Sequence, residues 1–346
     1  MEKWKDDYLY LMTDDTGILQ HSKYTIPDPR YGYTTDDNAR ALLLAILLVK
    51  EWPHKNYHKL LYRYTSFLLN AQTQQGEFKN FMSYERHWLE EKGSEDCQGR
   101  CAWAICTAIT HPAVPNGIKA ALSIMLDALF PNIMSLTSLR AKAYAIIGLA
   151  NLQDLASQKL IRVLGKSLLE EFNRASSRNW QWFEDTLTYS NSILPWAMFA
   201  AYKVTRKPAF LTVAENSLVF LLEKVFVKNY LQPIGCNGWL KKGGVAAEFD
   251  QQPIEACEMI LTLQEAFNIT HKNFYLEKAK KCYAWYEGEN SEHCCLTDSI
   301  TGGCFDGITP NGVNGNLGAE SQISYGIAYF TMMNLDGINS NSQNIR

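Results

Sequence analysis

Two adjacent aspartates, Asp36 and Asp37, lie just before Arg40, and an apolar run, Ala41 to Val49, follows. On a helix, neighbouring side chains diverge by about 100°, so only one of the two carboxyls points fully in a given direction. Arg40 is i+4 from the first and i+3 from the second and can pair with either. Thr34 or Thr35 is placed to cap the helix, and acids in a first turn suit the positive end of the helix dipole. Two carboxyls and a guanidinium at the end of an apolar helix have the composition of a proton-transfer site. A carboxylate paired with arginine stays ionised and suits a base or an anchor, whereas a carboxyl among aromatic rings holds its proton and suits an acid.

The arrangement recurs along the chain. Glu95, Asp96 and Arg100 lead into an apolar stretch ending at Ile109, and Asp96 with Arg100 repeats the i,i+4 spacing. Arg140 stands near the start of 139–149. Glu184 and Asp185, among Trp180, Trp182 and Tyr189, lead into 193–202. Glu248 and Asp250 lead into 256–267, and Glu320 opens 318–330. Between these stretches lie segments with a single apolar stripe at 57–73, 116–130, 155–173, 208–226 and 273–287, and a short helix is expected at 5–13. Pro53 and Pro131 are expected to end helices.

Helices that are apolar on every side belong inside, and one-sided helices belong outside. Six such pairs closed in a ring make an all-α (α/α)6 toroid. An open solenoid of stacked hairpins would expose its first and last inner helices unless they were capped. The expected organisation is one domain over residues 1–336, with an Asn/Ser-rich disordered tail at 337–346. No strand alternation is evident, although the loop at 231–247 could hold a short hairpin.

In a ring, parallel inner helices start at the same end, so their polar leaders converge on one funnel. Asp37 and Asp185 are the first choice of acid–base pair, with Asp96, Glu248, Asp250 and Glu320 in reserve. Tyr33, Asp36, Arg40, Arg100, Trp103, Arg140, Trp182, Glu184, Tyr189 and Trp239 are expected to bind substrate. So are Asp306, Asn314 and Asn316, from a long Gly-rich loop at 288–318 that has the turn residues of a lid.

Other chemistries find less support. A net charge of −3 and a pI of about 6.2 point to neither nucleic acid nor an anionic membrane. No apolar run reaches the roughly 18 residues of a membrane span, and the N-terminus has no signal-peptide core, so a cytoplasmic location is expected. Nine cysteines, several in apparent helices, fit reduced thiols. His293, Cys294, Cys295 and Cys304 lie close together without a CxxC pair, so neither a metal nor a cofactor is expected. P-loop, dinucleotide and GxSxG patterns are absent. Only His21 and His87 lie in loops placed to reach the funnel, which leaves lyase or epimerase chemistry short of bases.

Gln20-His-Ser-Lys-Tyr24, followed by Gly32-Tyr-Thr-Thr-Asp-Asp-Asn-Ala-Arg40, resembles a domain found beside or fused to bacterial glycosyltransferases and mannoside phosphorylases. Thr301-Gly-Gly-Cys-Phe-Asp-Gly307, with Asn314-Gly-Asn-Leu-Gly-Ala-Glu-Ser321, resembles the same domain's C-terminal signature. The resemblance runs from about residue 5 to 332. It implies the six-hairpin glycosidase-like superfamily, hence an (α/α)6 fold and a carbohydrate ligand, and it brings no catalytic residues with it. Glycoside hydrolysis needs one protonated and one ionised carboxyl, about 6.5–9.5 Å apart for inversion and about 5–5.5 Å for retention. Carboxyls on different inner helices favour the larger spacing. The expected function is therefore an inverting glycoside hydrolase acting on a mannose- or glucose-type oligosaccharide. The alternatives are a phosphorylase, in which Arg40, Arg100 or Arg140 holds phosphate, and a catalytically idle glycan-binding partner of a glycosyltransferase.

Overall fold

Thr34 turns the polar leader into the first long inner helix. Its hydroxyl accepts from the Asp37 N–H at 3.3 Å, and the helix runs Thr35–Glu51 (α2) until Trp52 and Pro53 stop it. Ser94 and Ser138 cap Glu95–Thr110 (α4) and Leu139–Leu149 (α6) in the same way. The remaining inner helices are Ile193–Thr205 (α8), Pro253–Thr270 (α10) and Ala319–Gln343 (α12). The computed structural model describes residues 4–226 and 228–343, with side chains to Leu335. The expected tail at 337–346 therefore lies outside the described side chains, and 344–346 lie outside the described backbone.

Each inner helix packs on the next, and α12 packs against α2, so the ring closes. Outside it lie His58–Ala71 (α3), Asn116–Ile133 (α5), Leu155–Ala175 (α7), Pro208–Val225 (α9) and Asn273–Ala284 (α11), each against its inner partner. A short first helix, Asp7–Met12 (α1), covers α12. This is the expected all-α toroid of six hairpins. The burial pattern explains it: α2 buries Leu42, Leu44, Ala45 and Leu48 on all its faces, whereas α7 buries only a stripe through Leu160, Ile161, Leu164 and Leu168.

Several boundaries differ from expectation. Pro131 does not end α5, which continues to Ile133; so close to a C-terminus a proline forfeits little beyond its own N–H bond. Helix α10 begins at Pro253, because proline is preorganised for the first helical position. The loop at 231–247 forms no hairpin of its own. Leu240–Lys241 pairs instead with Thr186–Leu187, tying the leader of α8 to that of α10.

Helices α4 and α6 approach closely because glycines sit at their crossing. A Cβ on Gly99 would lie 2.7 Å from the Ala141 carbonyl oxygen, and one on Gly148 would lie 2.7 Å from the Trp103 Cα. Both obstacles are backbone of an inner helix and cannot swing aside. Gly148→Ala should therefore destabilise the fold by about 1–3 kcal/mol through overpacking. A melting temperature equal to or above that of the parent would show that the two helices separate at no cost.

Candidate functional site

The first turns of the inner helices meet at one end of the barrel, as the polar leaders require. On the α2/α12 side they line a cavity of about 300 Å³ walled by Gln20, His21, Asp36, Asp37, Arg40, Gln252, Asp306, Asn314, Glu320 and Ser321. On the α4/α6 side a second, more open cavity is walled by Glu95, Asp96, Ser138, Arg140, Glu184 and Tyr189.

The guanidinium groups organise both. Arg40, 5% exposed, donates to Asp37 Oδ1 at 2.7 Å and to Glu320 Oε2 at 2.8 Å, joining α2 to α12. Arg100 from α4 does not pair with Asp96 as the spacing suggests. It reaches Asp36 at 2.8 Å and lies over the Tyr144 ring at 5.1 Å. Asp96 instead accepts from the Ser138 hydroxyl at 2.8 Å and from Tyr189 Oη. Arg140 pairs with Glu184 at 2.9 Å, donates to the Tyr189 carbonyl and the Thr188 hydroxyl, and lies over the Tyr189 ring.

These contacts split the carboxyls. Burial works against ionisation of Asp36, but Arg100 and Arg40 outweigh it and hold that carboxyl below its ordinary value. Burial pushes Asp37 up to about 7 against the pull of Arg40, with the charges of Asp36 and Glu320 adding to the rise. Thr34 Oγ and Arg40 occupy its two oxygens. The pairing rule therefore fits Asp36 and not Asp37: one arginine shared among three carboxyls cannot offset burial for all of them.

Two glutamates join the site that the sequence reading passed over. Glu255 and Glu258 lie one turn apart on α10. Burial pushes Glu255 up to about 8, reinforced by the charge of Glu258, and burial pushes Glu258 up to about 7. Tyr144 Oη donates to Glu258 Oε1 at 2.6 Å. The signal was available: a Glu-x-x-Glu spacing inside Pro253-Ile-Glu-Ala-Cys-Glu-Met259, at the start of a helix, places two carboxyls on one face.

Other candidates lie elsewhere. The Asp185 side chain is 79% exposed, 3.5 Å from Lys242, and not in an aromatic setting. Trp182, expected beside it, is fully buried against Phe183 and Phe220. Trp103 lines a cavity at the opposite end of the barrel with Trp196, which it meets edge-on, and stacks on Tyr144 on its other side. Tyr33 is buried, with its hydroxyl donating to Asp14. Glu248 is exposed and Asp250 half-buried on the loop before α10. Trp239 tilts against Tyr189 at 6.5 Å, beside the second cavity. Asp306 caps α12, accepting from Gly318 N–H and the Ser321 hydroxyl, and Asn316 accepts from Tyr24 N–H. Asn314 and Asp306 do reach the first cavity wall. His21 is there too, while His87 is exposed on a neighbouring loop.

Among the described residues, no group of three His, Cys, Asp or Glu side chains is arranged to hold a metal ion, and no helix is long and apolar enough to cross a membrane. None of the nine cysteines forms a disulfide.

No protein-family model matches the sequence, and no curated protein matches it. Solved structures do match the fold. The cellobiose 2-epimerase of Bacillus thermoamylovorans superposes with a TM-score of 0.76 at 12% identity, over 96% of each chain. A D-mannose isomerase gives 0.70 at 12% identity, over 95% of this chain and 94% of its own. The GH76 α-mannanase of Bacteroides thetaiotaomicron gives 0.70 at 11% identity, over 97% and 96%. The chain thus shares the overall fold of these three structures.

The raised carboxyls set a sign for stability against pH. Asp37, Glu255 and Glu258 bind protons more tightly folded than unfolded, so their contribution is complete below about pH 4 and is lost as pH rises through about 7–8. Asp36 acts oppositely, only at acid pH. The melting temperature should therefore fall between about pH 5 and pH 9, and Glu258→Gln should flatten that fall. A parent protein whose melting temperature holds steady over this range would contradict the assignment.

Proposed function

We propose that the chain is a carbohydrate-processing enzyme that hydrolyses a glycosidic bond at the mouth formed by the inner-helix N-termini. The single observation that carries this reading is the Asp36 carboxylate, held ionised by Arg100 on the wall of a polar cavity where burial drives Asp37 and Asp306 toward their protonated forms. One mouth thus offers both a proton acceptor and proton donors, as glycoside cleavage demands. The names of the structural neighbours, which act on cellobiose, mannose and mannan, support a mannose- or glucose-type oligosaccharide.

Phosphorolysis finds less support. Arg40, Arg100 and Arg140, the expected phosphate ligands, are each already paired with a carboxylate, and displacing those partners would strand buried charge. Water needs no such cation. Carboxyls drawn from different inner helices favour inversion, with Asp36 as the base that activates the water. Asp37, the first choice from the sequence, has both oxygens engaged and supports the fold and the charge balance around Arg40.

Asp36→Asn should lower turnover of a mannose- or glucose-containing oligosaccharide roughly 10²–10⁴-fold when assayed below its melting temperature. Asp185→Asn should change neither turnover nor stability measurably, because an exposed pair contributes about 0–1 kcal/mol. The product anomer, read by NMR, should be inverted. Turnover that requires inorganic phosphate, or an Asp36→Asn variant of parental activity, would overturn the reading.

A further inference from the structure

Asp36 and Asp37 leave the hydrolytic site incomplete. They share one helix turn, so they approach a bound linkage from the same side, and the second carboxyl must come from another inner helix. Two inner helices carry a candidate: Glu320 on α12 and Glu255 on α10. Glu320 is already engaged by Arg40 at 2.8 Å, which ties it to the α2/α12 seam beside Asp37. Among the described residues, Glu255 has no cation in hydrogen-bond contact. Its oxygens accept from the backbone N–H groups of Ser190 and Asn191, at the start of α8.

Its position is built. Ser190 takes φ +46, a left-handed conformation that costs a non-glycine residue about 1–3 kcal/mol, and from it the N–H reaches Glu255. Gln252, one turn before Glu255, walls the first cavity, and Arg140, which acts on the charge of Glu255, walls the second. Glu255 therefore stands between the two halves of the mouth. One turn deeper, Glu258 is 2% exposed, and its Oε2 has no hydrogen-bond partner among the described residues. The nearby Arg100 Nε is equally buried and unpartnered. A buried carboxyl oxygen and a guanidinium N–H left open below the mouth mark a place where a ligand or ordered water completes the bonding.

We propose that Glu255 is the proton donor to the departing sugar, acting from α10, two inner helices round the ring from the Asp36 carboxylate on α2, with the linkage bridging the two cavities. This rests on the hydrolytic reading above. In the step, water attacks the anomeric carbon as the bond from that carbon to the glycosidic oxygen breaks. The water's proton passes to Asp36, and the Glu255 proton passes to the leaving oxygen. One water is consumed, and one hemiacetal and one free hydroxyl are formed. Exchange with solvent then restores both carboxyls. The substrate therefore places a sugar in one half of the mouth and its leaving group, a second sugar or an aryl ring, in the other.

A leaving-group series tests the role in the full chain. Aryl mannosides and glucosides of both anomers, from phenyl to dinitrophenyl, are assayed with the parent, Glu255→Gln and Asp36→Asn. A lost proton donor should cost Glu255→Gln roughly 10²–10⁴-fold in kcat/KM on the phenyl glycoside and less than about tenfold on the dinitrophenyl glycoside, which leaves unaided. Asp36→Asn should lose activity on both. Should Glu255→Gln prove unfolded by circular dichroism, Glu255→Asp carries the same comparison. Equal losses on both leaving groups would overturn the donor role. Full activity of the Glu255 variant beside an inactive Asp36→Asn would place the donor elsewhere and leave the hydrolytic reading standing. Full activity of both variants would overturn that reading and this inference together.

Discussion

Arg40 holds the structure shut. Its guanidinium lies buried between Asp37, three residues away on α2, and Glu320, on the last helix of the ring. These helices come from opposite ends of the chain, and the seam between them is the one contact that turns a row of hairpins into a closed barrel. Charge is costly to bury, and a single guanidinium offsets it only partly. The seam therefore carries residual electrostatic tension, visible in the raised Asp37. Arg100 repeats the device between α4 and α2, joining the second inner helix to the first through Asp36. Closure and the unequal protonation of the carboxyls have one cause, because the arginines that tie the helices together also decide which acids stay charged.

The fold was legible because burial leaves a coarse trace. Helices such as α2 and α6 are apolar on every face, while α7 and α3 are apolar on one, and that contrast survives in the sequence however irregular the loops between them. The convergence of polar leaders followed from the same pattern, since parallel helices in a ring must begin together. Caps were legible too: Thr34, Ser94 and Ser138 occupy the positions that serine and threonine prefer.

Partner choice was not. Arg100 stands i+4 from Asp96 yet reaches Asp36 on a neighbouring helix, because the funnel brings side chains from different helices closer than the surface of one helix does. Trp103 and Trp182 read as sugar platforms in a leader-rich sequence, but residue type does not reveal to which end of a barrel a ring points. Glu255 and Glu258 were overlooked for other reasons. Glu258 falls inside the helix, and a site defined by leaders misses a carboxyl set one turn deeper; Glu255 closes the leader itself but was passed over for Glu248 and Asp250. The long loop through Asp306 and Asn316 contributes mainly by capping α12 and pinning Tyr24.

The seam also imposes an order on synthesis. Helix α2 emerges from the ribosome well before its partner α12, some 280 residues later (Arg40 and Glu320 are separated by 280 positions). At about 5–20 residues per second, the interval is on the order of 15–60 s. Throughout it, an apolar flank of α2 has no inner neighbour on one side, and Arg40 lacks half of its counter-charge. Ring closure is thus a late, long-range event, and the growing hairpins must shield that flank, or a chaperone must, until the C-terminal helix arrives.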